Sequence, residues 1–284
     1  MANWVAYQLM NQRMRAKGLV RVSRRLSTQV ASGPCYRGAK LRGSRRTITS
    51  ELSKGWDDRA EQWLAWARRP DFDAYWAYRD AFLDRVAPAP GRATLEVGCG
   101  EGRVARDLAA RGHLVTAIDA SAILVAHALE ADPDGHYVVG LAEDLPFETG
   151  SFDLVVAYNS LMDVDDMPAA VAEAARVLEP GGRFAVCVTH PVADSGRFET
   201  KDVDAPFVIE GSYRGKWPFE GLFERDGLSM NFSGNRYDLE NYVAAFEAAS
   251  LLVERLIEPP PSRPNETRWN RVPNFLMLRC LKPG

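Results

Sequence analysis

The 284-residue chain lacks most of the features that place a protein in a class at a glance. Its four cysteines (Cys35, Cys99, Cys187 and Cys280) are scattered, with no Cys-x-x-Cys pair and no histidine at metal-ligand spacing. That pattern excludes a disulfide scaffold and a zinc module, and it fits a reduced, cytoplasmic chain. No apolar run reaches the roughly 18 residues that a membrane-spanning helix needs. The first residues lack the apolar stretch of a secretion signal. There is no internal repeat. Strong charge is missing too: 35 basic and 38 acidic residues leave a net −3, which offers no bulk attraction to nucleic acid or membrane.

That average hides a split. Residues 1–54 carry twelve Lys or Arg and a single acid, Glu51, leaving 23 basic and 37 acidic residues in the remainder, a net of −14. Three readings of the basic segment compete: a poorly ordered tail, an organelle transit peptide rich in Arg and Ser, and a nucleic-acid-binding arm. The third lacks the aromatic ladder that usually accompanies such charges.

From Trp56 the texture changes, and residues 55–284 read as one domain. Two amphipathic helices come first, "WDDRAEQWLAWARR" and "DFDAYWAYRDAFLDRV", with Pro70 and Asp71 between them and "APAPG" after them. Apolar strand-like runs follow at 93–97, 114–118, 136–139, 152–158 and 183–189, with helical segments at 102–111, 121–130 and 168–178. Strands apolar on both faces, alternating with helices, imply a parallel sheet covered on each side. Residues 190–236 break the pattern with Gly, Pro, Phe and Tyr and no helical period. Asp238 then caps a helix, and two further strands are expected at 252–257 and 275–281.

The most informative stretch is "TLEVGCGEGRVARDLAARGHLVTAIDAS", residues 94–121. A strand ending in a glycine-rich turn that opens a helix presents free backbone N–H groups to a ligand. A dinucleotide site requires Gly-x-Gly-x-x-Gly. Here Gly98 and Gly100 are followed by Arg103 where the third glycine is due, and the glycine stands at 102 instead. Glu96 ends the strand; its carboxylate would repel a pyrophosphate and attract an ammonium group. Asp119, about twenty residues on, stands where a carboxylate accepts hydrogen bonds from ribose hydroxyls. A ribose, a cation and no phosphate together describe S-adenosylmethionine.

With "LEVGCGEG", "VTAIDAS", "LAEDLPFETGSFDLVVAYNSL" and "VLEPGGRFAVCVTHP" in that order, the chain resembles the class I S-adenosylmethionine-dependent methyltransferases over residues 56–284. It is most similar to their small-molecule branch, which includes quinone-biosynthesis enzymes. The resemblance implies an α/β fold: a Rossmann-like, open, mostly parallel seven-stranded sheet with helices on both faces, N-terminal helices and an insertion after strand five. It implies that Glu96, Gly98 and Gly100 lie along the methionine end of the cofactor, that Asp119 holds the ribose, and that Ala120 and Ser121 flank the adenine. The family's acid for the adenine amino group is replaced by Leu141. That contact passes to the Ala142 backbone or to Glu143, or Leu141 packs on the ring. Asn159 and Ser160 follow strand four, where cofactor and acceptor meet; Gly181 and Gly182 serve a tight turn.

An acceptor that must lose a proton needs a base. His190, directly after strand five, is the first candidate, since imidazole titrates near neutrality; its alternative is a locally bonded loop histidine. Tyr158 and Asp163 are weaker candidates, one readable as core and the other as a helix cap. Tyr213, Trp217, Phe219 and Phe223 in the insertion form either an apolar lid or simple packing. No metal site is expected. The absence of an Asn-Pro-Pro-Tyr motif, a Pro-Cys nucleophile and a cysteine triplet argues against adenine or glutamine amino-methylation, cytosine methylation and radical chemistry. The acidic body disfavours a nucleic-acid partner. A small organic acceptor is expected. The rival readings are an NAD-dependent oxidoreductase, which the glycine spacing and Glu96 oppose, and a non-catalytic cofactor-binding or interaction protein.

Overall fold

The computed structural model describes residues 51–70, 72–262 and 267–284. The expectations for the basic residues 1–50 and for Asp71 between the first two helices therefore lie outside the described residues. The chain opens with α1 (Glu51–Ala67) and α2 (Tyr75–Arg85), then β1 (Thr94–Val97), α3 (Arg103–Ala110), β2 (Val115–Asp119), α4 (Ala122–Ala131) and β3 (His136–Val139). Next come β4 (Phe152–Tyr158), α5 (Met167–Val177), β5 (Leu178–Thr189) and the one-turn α6 (Pro191–Asp194). Two short strands, β6 (Gly196–Phe198) and β7 (Phe207–Ile209), precede two long ones, β8 (Lys216–Arg225) and β9 (Leu228–Tyr237). The described chain closes with α7 (Leu239–Ala248), β10 (Leu252–Ile257) and β11 (Phe275–Leu281).

Seven strands form one open sheet in the order β10-β11-β5-β4-β1-β2-β3, with β1 to β5 parallel and β11 antiparallel to both its neighbours. Side chains alternate across a strand, so the even and odd positions of the central strands feed two different cores. Val155, Ala157, Phe184, Val186 and Val188 face α5 and α7. Leu154, Val156, Ala185 and Cys187 face α2 and α3. This two-sided burial is why β4 and β5 read as continuous apolar runs.

Caps set where the helices begin. Ser121 accepts from the Leu124 amide at 3.2 Å, Asp166 from Ala169 at 3.1 Å and Asp238 from Asn241 at 2.9 Å. The Gly181–Gly182 turn lies inside β5, where its pairing with β4 shifts register. Gly181 takes the left-handed φ of +82° there.

The insertion holds more regular structure than its sequence suggested. β8 and β9 pair over ten positions as a hairpin separate from the main sheet. Its two-residue turn is Asp226-Gly227, both at positive φ (46° and 78°). Asp-Gly between two such runs is the turn signal for this geometry. β9 lies along α1, where Phe232 meets Trp63 and Trp66 edge to face at 6.1 and 6.2 Å. Among the described residues no helix is long and apolar enough to cross a membrane.

Candidate functional site

The chain leaves β1 for β2 and β3 on one side of the sheet, then crosses to β4 on the other. In open α/β sheets ligands bind beyond the strand ends at that reversal. The reversal brings Gly98 against Ser160, whose Oγ donates to the Val97 carbonyl at 2.7 Å. Gly98 has φ +73°, and a Cβ there would stand 2.3 Å from the Ser160 Cβ. Only glycine fits.

A cavity of about 430 Å³ opens above this point, and the glycine turn, the ends of β2, β3 and β4, α1 and the β8–β9 hairpin enclose it. All nine residues expected to hold the cofactor line it: Glu96, Gly98, Gly100, Asp119, Ala120, Ser121, Ala142, Glu143 and Asn159. Asp119 is braced by the turn itself, accepting from the Gly100 amide at 2.7 Å and the Ser121 amide at 2.8 Å. Burial nevertheless raises its pKa. Glu96 is 1% exposed, and its Oε2 has no hydrogen-bond partner. Burial drives its pKa well above the ordinary value, and the nearby Asp119 and Glu101 add to the effect. A buried carboxyl in that state is costly unless a cation or donor meets it.

The other cofactor-side residues are held in place by neighbours. The Ser121 hydroxyl donates to Asp57 of α1 at 2.5 Å. Glu143 accepts from the amides of Asp165 and Asp166 at 3.0 and 3.2 Å, fixing the loop before α5. Leu141 also lines the cavity. Asn159 adopts a positive φ of 51°, and its amide donates to the Cys187 carbonyl at 2.8 Å.

The three base candidates separate. Asp163 lines the cavity. Burial raises its pKa well above the ordinary value, although Arg59 opposes the shift. Tyr158 also lines the cavity, packed edge to face on Tyr75 and Phe82 at 5.2 and 5.0 Å. Burial raises its pKa, and its hydroxyl has no hydrogen-bond partner. His190 is not brought to the cavity. Its Nδ1 accepts from the Val192 amide at 3.1 Å, capping α6, and its Nε2 faces Glu258 at 2.9 Å. Both nitrogens are engaged, and burial lowers its pKa. The local reading of this histidine is the one the geometry matches.

Several lining residues went unseen in the sequence. Arg103, noted there only as a missing glycine, pairs with Asp73 at 3.0 Å and lies over the rings of Tyr75 and Trp63 at 4.4 and 4.9 Å. Trp63 approaches the glycine turn, its Nε1 3.5 Å from where a Cβ on Gly100 would be. Asp194 and Arg236 reach the cavity from the insertion, as do Phe219 and Phe223. Tyr213 and Trp217 do not line it. The aromatic spacing on α1 was a usable signal for Trp63; nothing local marked Asp194 or Arg236.

A family model described as a methyltransferase domain matches residues 95–186. A ubiquinone biosynthesis O-methyltransferase from Paracidovorax citrulli is 40% identical over 170 residues, covering 57% of this chain and 69% of that protein. A demethylmenaquinone methyltransferase from Beutenbergia cavernae is 39% identical over 109 residues, 38% of this chain and 45% of that protein. The chain thus spans about half the length of some curated relatives it matches. In fold it is similar to an S-adenosylmethionine-dependent methyltransferase from Mesorhizobium loti, with a TM-score of 0.60 at 22% identity over 74% of this chain and 99% of that one.

Proposed function

This chain belongs to the S-adenosylmethionine-dependent methyltransferase family, and on that footing we propose that it methylates a small organic acceptor. One observation carries the reading: a fully buried Glu96 carboxyl with an unpartnered oxygen faces the same cavity as Asp119, which the glycine turn holds rigid. Glu96 suits the cofactor's ammonium group, and Asp119 suits two ribose hydroxyls. Arg103 suits its carboxylate. Ala120, Ser121 and Leu141 suit the adenine, with Ala142 and Glu143 beside it. The glycine cradle, tight against Ser160, excludes side chains where the ligand lies.

When bound, the cofactor supplies a methyl group already activated by its sulfonium. The protein's remaining work is to orient the acceptor and exclude water. Asn159 and Ser160 mark the junction of the two halves of the cavity. The β8–β9 hairpin serves as the lid, closing the acceptor side with Phe219, Phe223 and Phe232. Asp163 stands on that side as the group able to hold a proton. We place the protein in the cytoplasm, on its unpaired, buried cysteines Cys99, Cys187 and Cys280, and without a nucleic-acid partner, on its acidic body.

Calorimetric titration with S-adenosylmethionine and, separately, with NADH tests the reading. Saturable binding of the first and none of the second is expected. The reverse result overturns it.

A further inference from the structure

The cavity's charge inventory says more about the acceptor than its shape does. Among the described residues, seven acidic side chains line it against two arginines, with no lysine or histidine. Four of the acids are already engaged: Asp73 by Arg103, Glu101 by Arg106, Asp119 by the Gly100 and Ser121 amides, and Glu143 by the Asp165 and Asp166 amides. Glu96 belongs to the cofactor half. Asp163 and Asp194 remain, acted on by burial and, in the opposite sense, by Arg59 and Arg236 respectively.

These two sit where the acceptor must lie. Asp163 ends the single turn Leu161–Asp163 after β4, and Asp194 ends α6 after β5. Gly234 of β9 packs directly over Asp163; a Cβ there would come within 2.6 Å of its Oδ1. Among the described residues, Arg236 is the cation that lines the acceptor half. Its Nη1 donates to the Asp194 backbone carbonyl at 2.8 Å, its guanidinium lies over Phe219 at 5.9 Å, and its Nε has no partner. The charge of Arg59 on α1 favours the ionised form of Asp163, and its Nε and Nη2 have no hydrogen-bond partner. The remaining wall is aromatic, formed by Phe219, Phe223 and Phe232.

We propose that the methyl acceptor is a basic amine on an apolar, ring-bearing body, held by the carboxyl groups of Asp163 and Asp194 under the aromatic face of the hairpin. The assignment deepens the methyltransferase reading and rests on it. An ammonium group is attracted to the two carboxyls, and cation–π contact with the rings adds to the attraction. Before reaction its proton passes to a carboxylate, giving a neutral amine and a neutral acid. Burial favours that exchange: it raises the pKa of Asp163 and brings that of Asp194 to about 7. The nitrogen lone pair then forms the N–C bond as the C–S bond breaks, with the sulfur keeping the electron pair and the nitrogen the positive charge. A phenol or carboxylic acid would have to react as an anion, and the carboxyl that took its proton leaves a second acid beside it whose ionised form opposes that charge.

The test is calorimetric titration of the intact protein, saturated with S-adenosylhomocysteine, using three probes of one body: phenethylamine, para-ethylphenol and hydrocinnamic acid. Saturable binding of the amine alone is expected, weakened about tenfold or more in Asp163→Asn and in Asp194→Asn. S-adenosylhomocysteine affinity is expected to stay within about threefold of wild type in both variants. The amine assignment is overturned if the phenol or the acid binds as well as the amine, if no probe binds, or if amine binding survives both substitutions. Acid binding that is lost in Arg236→Gln overturns it in favour of an anionic acceptor. Failure of S-adenosylhomocysteine itself to bind wild type overturns the methyltransferase reading, and the acceptor assignment with it.

Discussion

The two halves of the cavity are built in opposite ways. The half we assign to the cofactor is mostly local: Glu96 to Ser121 supply a strand end, a glycine turn and the acid that the turn's own amides brace, with Ala142, Glu143 and Asn159 added from the ends of β3 and β4. The acceptor half is gathered from afar, with Asp163 after β4, Asp194 after β5, Phe232 and Arg236 from a hairpin, and tryptophans from α1. Backbone geometry fixes the first, and side-chain packing fixes the second. The first therefore admits few substitutions, while the second is free to vary with the acceptor.

The largest effect is expected at Gly98, where backbone and packing both forbid a side chain. Gly98→Ala combines a left-handed φ with a collision against Ser160, and should weaken cofactor affinity about 100-fold or more, about 2.8 kcal/mol. Calorimetry reads this directly; an unchanged affinity would mean that the turn is not the cradle.

Glu96→Gln comes next and should act in two directions. Cofactor affinity should fall about 30-fold, since one charge-assisted contact is worth about 2 kcal/mol. The ligand-free protein should become more stable, because a buried carboxylate has been removed. The pH dependence follows from the raised folded-state pKa. The stability contributed by Glu96 is fully present below its ordinary value of 4.5 and is lost as pH rises through the higher folded value. Asp163 and Asp194 act in the same sense, Asp194 across the range up to about 7. Thermal unfolding without cofactor at pH 5 and pH 8 should therefore show a smaller decline in Glu96→Gln than in wild type. An equal decline would show that Glu96 is not the buried acid responsible.

On the acceptor side, Phe232→Ala removes edge-to-face contacts with Trp63, Trp66 and Phe223, each worth about 0.5–1.5 kcal/mol. Acceptor kcat/KM should drop about tenfold while cofactor affinity stays within about threefold. A parallel loss of both would erase the distinction between the halves. The smallest effect on catalysis is expected at His190. His190→Ala should cost about 1 kcal/mol of stability through the lost cap and leave kcat within about twofold. A large loss of kcat at unchanged stability would restore His190 as a base.

The same contrast explains what could be read from the sequence. The central strands β1, β4 and β5 were legible because burial on both faces leaves long apolar runs, whereas β10, exposed at five of its six positions, was placed by its β-branched and apolar ends. Six of the nine residues expected at the cofactor, Glu96 to Ser121, could be named because their spacing is set within one strand–turn–helix–strand unit; Ala142, Glu143 and Asn159 came from the later motifs. His190 was named for its position after β5, while the partners it has in the fold are a local amide and Glu258, 68 residues away. The hairpin went unread although Asp226-Gly227 announced it, since its strands are partly exposed and carry no clean apolar alternation. Asp194 and Arg236 could not be read at all, because only tertiary folding brings them beside Asp163.

The most direct measurement is S-adenosylhomocysteine affinity in wild type, Asp119→Ala and Asp163→Asn, measured side by side. Loss of the ribose contacts should weaken binding at least about tenfold in Asp119→Ala, and by less than about threefold in Asp163→Asn. Unchanged affinity in Asp119→Ala, or equal losses in the two variants, would contradict the division of this cavity into a cofactor half and an acceptor half.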